Sequence, residues 1–435
     1  MYEVIVRRDG REVGSFEVEI SGNAAEREEK VLDAGRRFGR ILLEPSLQEV
    51  AEAKVHSRCC GRAMASKGCR PLTVKTMTGE IVLFRRRYRC ETCGHSIYQG
   101  DAAILCGRHR VTRPLAKRVC QLVESEHYPH LPQVLFDQHG VSMTPQEINE
   151  LVRVVGGRAD ERRRAEAAAW SRIPADRRAW PVSAVKPERI YASTDGVMYC
   201  TNQVEPDPYH PGRKRLIWQQ MRVGCVYWEN AAGRWDKRVV WGRESAEEFG
   251  ASLFRLAWEC GWRESREKLF GADGGEWCWS IQERYFSDAT GIIDWYHASE
   301  HVWKAAHGIH ADPDAAKLWA EAALDEMRTK GGEGLTAWLR MQRAGLRNAR
   351  RAALDALLGY LRPRVDLMNY PFYRSRGWQV GTGMIESTGK QLVGQRLKGP
   401  GMHWSEQGAL AVAALRAIDL NTQWHTFWKD LALSI

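Results

Sequence analysis

The sequence predicts a multidomain α+β and α/β protein with a mixed β-sheet at its centre and helices on the faces of that sheet. Three observations support this class. The chain has 435 residues, more than one domain usually needs. Residues 187–300 alternate between apolar strand patterns and helical patterns. Residues 301–380 are dominated by good helix formers, which is typical of an all-helical insertion.

Composition and charge limit the classes of protein to which this chain can belong. Hydrophobic residues make up 44% of the chain and charged residues 27%, as in ordinary globular proteins. The formal net charge of +10 favours phosphate-rich partners. The sequence has no apolar run long enough to span a membrane, and charges replace the apolar region of a secretory signal near Met1. We therefore expect a cytoplasmic protein, associated with the nucleoid if its partner is DNA.

Residues 1–50 predict a small α/β segment. Alternation predicts strands at Tyr2–Val6 and Ser15–Ile20, and a charged helix is expected at Ala24–Ile41.

Residues 51–105 form a cysteine-rich module. Cys90-Glu91-Thr92-Cys93-Gly94 has the spacing of a zinc knuckle, and Cys60-Gly61 matches the second half of another. Between them, Thr73–Thr76 and Ile81–Tyr88 alternate around Thr78-Gly79, which predicts a hairpin. Two knuckles joined by a hairpin are the layout of a zinc ribbon. Because the 11 cysteines are an odd number, metal ligands and buried thiols are favoured over a disulfide framework.

The fourth zinc ligand is ambiguous in the sequence. A full first knuckle would have Cys at position 57, where this chain has Ser57. Cys59 and His56 are the nearest substitutes, and Cys69 is a further one. We predict zinc bound by three or four of these groups, and buried or degenerate cysteines are the alternative. The predicted ligands are Cys59, Cys60, Cys90 and Cys93.

Residues 106–186 predict a helical, basic, DNA-binding region. Pro132–Val155 reads as two helices joined by a glycine turn, with Thr144 capping the second helix, Pro145 first in it and Glu147 at its third position. This is either a helix-turn-helix, whose second helix would enter the major groove, or a plain helical hairpin. The arginine-rich stretch Arg158–Arg178 either lies on DNA or is a solvated helix face.

Four arginines lie on the hairpin of the cysteine module: Arg85, Arg86, Arg87 and Arg89. They either contact DNA phosphates or protect a solvated strand edge.

Residues 187–300 supply the predicted sheet and a first part of the core. Strands are expected at Arg189–Met198, Leu216–Trp228, Arg238–Trp241, Lys268–Ala272 and Gly291–Asp294, with a helix capped by Ser245 between the third and fourth. Residues 381–435 complete this core with a short helix and an apolar helix at Glu406–Asn421.

Three acidic residues stand in settings suited to metal chemistry. Asp195 and Asp273 each end an apolar strand and precede glycine, and Glu386 lies on a helix that begins after Gly383. Phosphodiester transfer is commonly catalysed by two Mg²⁺ ions held by carboxylates, and glycine lets a phosphate backbone approach closely. Each Asp-Gly pair alone would more often be an ordinary turn; the shared strand context favours a site.

The chain resembles bacterial insertion-sequence transposases, closest to the ISKra group and related to Mutator-like enzymes. The resemblance is carried by STDG at Asp195, GADGGEW at Asp273 and GMIESTGKQL at Glu386, together with the cysteine module. It implies an RNase H-like core with a helical insertion and a DDE triad that uses Mg²⁺ or Mn²⁺. It also implies cleavage and strand transfer on double-stranded transposon ends and target DNA, by a homodimer or larger assembly.

The same resemblance extends to residues around the triad. Asp294-Trp295-Tyr296-His297 is similar to a family element in which His297 would position DNA, although a hydrogen bond at the helix start would explain it equally well. Cations after Glu386 would bind DNA: Lys390, Arg396 and Lys398, with His403 beside them. Tryptophans would stack on an unpaired base or pack in the core: Trp303, Trp319, Trp338 and Trp404.

Other functions remain open at this point. A domesticated, non-catalytic DNA-binding protein could keep this fold. A serine or tyrosine recombinase would instead use a covalent nucleophile. A zinc-ribbon transcription factor would leave residues 187–435 unexplained.

Overall fold

A computed structural model describes residues 1–53, 57–107, 109–174, 183 and 185–431. The chain divides into two compact units. The first comprises Met1–Arg158 with Gln423–Ile435, and the second comprises Ala159–Thr422.

The first unit begins with the predicted strand pair and helix. Strands β1 (Tyr2–Arg8) and β2 (Arg11–Val18) are antiparallel, and helix α1 (Ala24–Glu52) follows an Asn23 capping box. The helix is longer than predicted and runs through Pro45. Leu43 and Leu47 pack onto the hydrophobic core of the cysteine module, and this burial offsets the hydrogen bond that proline removes.

The cysteine module contains the predicted hairpin. Strands β5 (Ala65–Thr76) and β6 (Gly79–Arg89) are antiparallel, and β7 (Ser96–Tyr98) adds to β6. Gly79 has a φ of +114°, a backbone conformation that suits glycine in this tight turn. Two shorter strands, β3 (Arg58–Cys59) and β4 (Arg62–Ala63), form a second hairpin before it.

Helices make up the rest of this unit. They are α2 (Asp101–Ile104), α3 (Arg113–Val123), α4 (Leu131–His139), α5 (Pro145–Ser171) and, near the C-terminus, α15 (Trp424–Asp430). The predicted helix, glycine turn and helix are confirmed: Gly140 ends α4 in the left-handed conformation, and Thr144 and Glu147 cap α5 reciprocally. Helix α5 continues past Arg158 into the second unit.

The second unit is built on a five-stranded mixed sheet, as predicted. Its strands are β8 (Arg189–Pro206), β9 (Lys214–Glu229), β10 (Trp235–Gly242), β11 (Glu267–Ala272) and β12 (Thr290–Ile293). The spatial order is β10-β9-β8-β11-β12. Strands β8, β9 and β10 pair antiparallel, whereas β11 runs parallel to both β8 and β12.

Both faces of this sheet are covered by helices. On one face, Ile190, Ala192 and Phe270 form a core with Phe249 and Leu253 of α6 (Ala246–Glu259), which has the predicted Ser245 cap. Helix α7 (Glu276–Tyr285) contributes to the same core. Two further helices contact the sheet: α12 (Gly383–Gly389) contacts β8 and β9, and α14 (Glu406–Leu420) contacts β10.

The predicted insertion is entirely helical in the part of the chain that the structure describes. It contains α8 (Trp295–Ile309), α9 (Pro313–Arg343), α10 (Asn348–Leu361), a 3-10 turn (Val365–Leu367) and α11 (Tyr370–Ser375). After α12 the backbone passes through a π-helical turn (Lys390–Gly394) and α13 (Gln395–Leu397). None of the described helices is long and apolar enough to cross a membrane.

Candidate active site and metal centre

The first site is a cluster of four thiols in the cysteine module. The sulfur atoms of Cys59, Cys60, Cys90 and Cys93 all lie within 4.8 Å of one another. The Sγ of Cys59 is 3.5 Å from that of Cys93 and 3.9 Å from that of Cys60. Four thiolates around one tetrahedral Zn²⁺, with bonds of about 2.3 Å, would be separated by about 3.8 Å. These cysteines could therefore bind a metal ion such as zinc, as predicted.

Two tight turns assemble the thiols. Cys60 and Gly61 occupy the turn between β3 and β4 with φ values of +49° and +76°, so both adopt left-handed backbone. This conformation is uncommon for a residue with a side chain, and here it accompanies adjacent cysteines that both reach the cluster. On the other side, the Gly94 N–H donates to the Cys90 carbonyl at 2.9 Å, closing the Cys90–Gly94 turn.

The surroundings of the thiols favour a bound cation. Backbone N–H donation, first from Cys93 and then from Thr92, lowers the pKa of Cys90 to about 6. Cys90 is therefore mainly a thiolate at neutral pH, the form that binds metals. Hydrogen bonding to Cys93 and then to Cys90 raises the pKa of Cys59 to about 12. A divalent cation favours the thiolate form of such a cysteine.

Of the alternative ligands that the structure describes, Cys69 does not join this cluster. Cys69 lies on β5, paired with Arg86 and exposed to solvent. His56 lies outside the described residues. Ser57 accepts a backbone hydrogen bond from Met64, which helps to close the β3–β4 hairpin.

The four hairpin arginines differ in exposure, and the prediction that Arg85 contacts DNA is wrong in this structure. Strand alternation places Arg85 on the buried face with Ile81 and Leu83. Its guanidinium pairs with Asp101 and lies 4.3 Å from the Tyr98 ring centroid. Arg86 and Arg89 are exposed and Arg87 is half-buried, so these three remain candidates for phosphate contact.

The arginine-rich stretch after Arg158 is largely engaged in ion pairs. Arg163 is bonded to Asp160 and Glu244 at 3.0 and 2.7 Å, and Arg162 pairs with Glu166 on the same helix. These pairs favour the structural interpretation of this helix over DNA contact. Arg177 and Arg178 lie outside the described residues.

The second site is acidic and lies in the second unit. In the parallel ladder, Thr194 of β8 is opposite Ala272 of β11, so the next residues, Asp195 and Asp273, lie side by side. Asp273 follows the end of β11 as predicted. Asp195 does not end its strand, because β8 continues to Pro206 and Asp195 pairs across to Val223. That prediction is corrected; antiparallel pairing with β9 sustains the strand beyond Asp195.

Short backbone contacts orient the two aspartates. The Gly196 N–H donates to the Asp195 carboxylate at 2.6 Å, and the Gly275 N–H donates to the Asp273 carboxylate at 2.9 Å. Both side chains are half-buried. One face of each carboxylate is therefore held by the protein.

Glu386 lies in the first turn of α12, on a helix that begins at Gly383 as predicted. The Thr382 hydroxyl lies 3.2 Å from the Glu386 carboxylate and 2.7 Å from that of Asp294. Asp294 is 2% exposed and also accepts the N–H groups of Thr382 and His297. Asp294 thus links the start of α12 to the end of β12. It supports the acidic site through its contact with Thr382 and does not itself face the site.

The other two carboxylates affect the ionisation of Asp195. The pKa of Asp195 is raised, chiefly by burial and further by the negative charges of Asp273 and Glu386, while His297 opposes the shift. Their oxygens do not all lie within 4.8 Å of one another, unlike the thiols. A site for two metal ions about 4 Å apart does not require all of its ligand oxygens to lie that close together.

Residues of the helical insertion form a wall beside Asp273, and among them the sequence singled out only His297. A side chain at Gly274 would meet Tyr360, His297 and Arg364 at 3.0, 3.4 and 3.5 Å. Arg364 donates to the Gly274 carbonyl at 2.6 Å, and the Tyr360 ring stacks on His301 with centroids 3.7 Å apart. Their sequence distance from Asp273 gave no signal for these contacts.

His297 has both properties that its two interpretations require. Its N–H donates to Asp294 at 2.6 Å as part of the helix cap, and its ring remains 33% exposed beside the acidic residues. The structural contact of the backbone therefore leaves the imidazole available to the site.

The cations after Glu386 are not equivalent. Lys390 and Lys398 are exposed, as predicted for DNA contacts. Arg396 is 3% exposed, and its guanidinium lies 4.9 Å from the ring of buried Trp404, so its prediction as a DNA contact is wrong here. Helical packing turns Arg396 inward together with Leu397, whereas Gln395 and Lys398 face solvent. Two tryptophans of the insertion pack against each other: the ring centroids of Trp319 and Trp338 lie 5.3 Å apart, and both side chains are half-buried.

No protein-family model matches this chain, and a search of curated proteins gave no match. Its function therefore has to be inferred from its own residues.

Proposed function

We propose that this chain is a DDE-type transposase that binds the ends of its own element and cleaves and rejoins DNA strands. The observation that carries the proposal is the neighbourhood of Asp195, Asp273 and Glu386. Asp195 and Asp273 are adjacent at the end of the parallel ladder, and the charges of Asp273 and Glu386 both act on the ionisation of Asp195. The alternatives that use a covalent serine or tyrosine explain none of this arrangement.

The donor set fits hard divalent cations. Asp195, Asp273 and Glu386 would hold Mg²⁺ or Mn²⁺, which prefer carboxylate oxygens and retain some water. Bound there, such ions would activate an oxygen nucleophile and stabilise the leaving oxygen of a phosphodiester. The pKa of Asp195 is raised chiefly by burial and further by the charges of Asp273 and Glu386, and a bound cation would oppose this rise.

The protein's own residues would position the reacting groups. Thr382 and Asp294 fix the start of the helix that carries Glu386. Arg364 fixes the loop that carries Asp273 by binding the Gly274 carbonyl. The exposed His297 imidazole and Lys390 would contact the phosphates that flank the cleaved bond.

The sheet order is consistent with the RNase H-like core that we propose. Three antiparallel strands are followed by two parallel ones, in the order third, second, first, fourth, fifth. The first aspartate lies on the first strand and the second follows the fourth. We further propose that the thiol cluster holds Zn²⁺, that the partners are double-stranded transposon ends and target DNA, that two or more chains act together, and that they do so in the cytoplasm at the nucleoid.

The test is metal-dependent nicking of DNA that flanks the coding sequence of this chain. The wild-type protein should nick a plasmid carrying those flanks in Mg²⁺ or Mn²⁺, and Asp195→Ala should bind the DNA without nicking it. Asp9→Asn removes the same charge from a side chain that is 94% exposed and should nick normally. Equal nicking by Asp195→Ala would refute the assignment. Binding without nicking by the wild type would favour a non-catalytic DNA-binding protein.

A further inference from the structure

The β8–β9 ribbon extends beyond the sheet. Strand β11 pairs with β8 only up to Thr194, and β10 pairs with β9 only from Arg222 onward. Beyond these points the two strands continue as a pair from Gly196 to Pro206 and back from Lys214. Eleven residues at about 3.3 Å each correspond to about 36 Å of strand. We call residues 196–222 the arm.

One face of the arm is anchored to the protein. Trp404 bridges to the arm backbone: Asn202 donates to the Trp404 carbonyl at 2.9 Å, and Trp404 donates to the Cys200 carbonyl at 3.1 Å. Tyr199, on the face opposite to Trp218, is completely buried. The arm is therefore held in place and is not a free loop.

The other face is apolar and open to solvent. Met198, Val204, Leu216 and Trp218 are 40–53% exposed. The pairs Met198↔Gln220, Cys200↔Trp218 and Val204↔Leu216 place these side chains on one face of the ribbon. At the tip, Tyr209 is 81% exposed. Large exposed apolar surfaces of this kind usually mark a binding site.

Charge distinguishes the kind of partner. Arg213 and Lys214 are exposed beside the tip, next to the apolar face. Neither forms an ion pair within the described part of the chain, whereas the neighbouring Arg215 pairs with Glu205 at 2.7 Å. Aromatic side chains next to available cations suit unpaired nucleotides, because only unpaired bases offer a flat apolar surface beside a phosphate.

We infer that the arm binds an unpaired stretch of DNA, with bases stacked on Trp218 and Tyr209 and phosphates bound by Arg213 and Lys214. This inference rests on the proposed function, since the arm continues the strand that carries Asp195. A nucleic acid longer than the acidic site could pass from Asp195 along this ribbon. The arm would then hold the DNA strand that is separated from its complement next to the cleaved bond.

The test is binding of two fluorescent DNA duplexes, with Ca²⁺ to prevent cleavage. One is blunt, and the other carries a single-stranded extension of about ten nucleotides. Trp218→Ala should weaken binding of the extended duplex about tenfold and change binding of the blunt duplex less than about twofold. Trp218→Phe, which keeps an aromatic face, should restore most of the affinity.

Controls separate this inference from the proposed function. Leu318→Ala, at a side chain that is 69% exposed outside the arm, should bind both duplexes like the wild type. Wild-type-like binding of the extended duplex by a Trp218→Ala, Tyr209→Ala double variant would overturn the inference. So would loss of self-association in that variant with unchanged DNA binding, which would point to a second copy of the chain. Arm-dependent binding without Asp195-dependent nicking would support the arm and refute the transposase.

Discussion

The thiol cluster and the acidic site are assembled in opposite ways. The thiols come from two turns of one small module, where a left-handed Cys60 and the Cys90–Gly94 turn bring four sulfurs within 4.8 Å. The carboxylates come from residues 195, 273 and 386, and strand register plus one helix start bring them together. A site built by local turns should depend on those turns alone, whereas a site built by register depends on the whole sheet.

The strongest test of that contrast removes one carboxylate. Asp273→Ala should lower metal-dependent nicking by at least about a thousandfold, because the remaining two carboxylates cannot hold both ions in place. The zinc content of the protein, measured by atomic absorption, should stay unchanged. A loss of zinc in this variant would show that the two sites are not independent.

The converse change acts on the cluster. Cys90→Ser should abolish the proposed zinc binding and destabilise the cysteine module by about 4 kcal/mol or more, since metal binding contributes directly to folding. Hydrogen exchange should increase in β3–β7 and stay unchanged in β8–β12. Cys69→Ser, at an exposed cysteine outside the cluster, is the matched control and should retain zinc. Full zinc content in Cys90→Ser would contradict the assigned ligand set.

A smaller effect distinguishes an arginine that stabilises the cysteine module from an arginine that contacts DNA. Arg85→Ala leaves the Asp101 carboxylate, whose side chain is 9% exposed, without its ion-pair partner. We expect a loss of about 3 kcal/mol in the free energy of unfolding, measured by urea denaturation. Arg86→Ala should change stability by less than about 0.5 kcal/mol and should instead weaken DNA binding. Equal stability of the two variants would place Arg85 at the surface.

The smallest expected effect concerns charge at the acidic site. The folded protein raises the pKa of Asp195, so ionising this carboxylate costs stability at pH values above the folded pKa. In EDTA at neutral pH, Asp195→Asn should therefore melt at a higher temperature than the wild type. The advantage should fade as the pH falls through the folded pKa towards the unfolded one, since both proteins are then uncharged at this position.

Added Mg²⁺ should reverse this order. It should stabilise the wild type and leave Asp195→Asn nearly unchanged. If Mg²⁺ shifted the melting temperature of both proteins equally, the cation would bind elsewhere.

Much of the fold could be predicted from periodicity and capping. The five core strands, the Ser245 helix cap and the Thr144 helix start all follow from patterns within a few neighbouring residues. The four predicted cysteines also come together, because the two turns that carry them are short and contain glycine. Local patterns were sufficient where local interactions decide the structure.

Predictions failed at residues whose structure is decided by a partner that is distant in the sequence. Nothing near Arg85 in the sequence shows that Asp101 will bury it, and nothing near Asp195 shows that β9 will extend its strand. The same holds for Arg364, which reaches Gly274 from 90 positions away in the chain. At such positions, tertiary packing decides whether a side chain is exposed and how long a strand is, whatever the local sequence favours.

The π-helical turn that follows Glu386 makes this part of the chain sensitive to length. Between Lys390 and Gly394 the backbone holds one more residue per turn than an α-helix would, so later side chains are rotated relative to Glu386. Deleting a single residue here could restore a regular helix and still redirect everything from Gln395 onward. Homologous chains should therefore tolerate substitutions in this turn more readily than insertions or deletions.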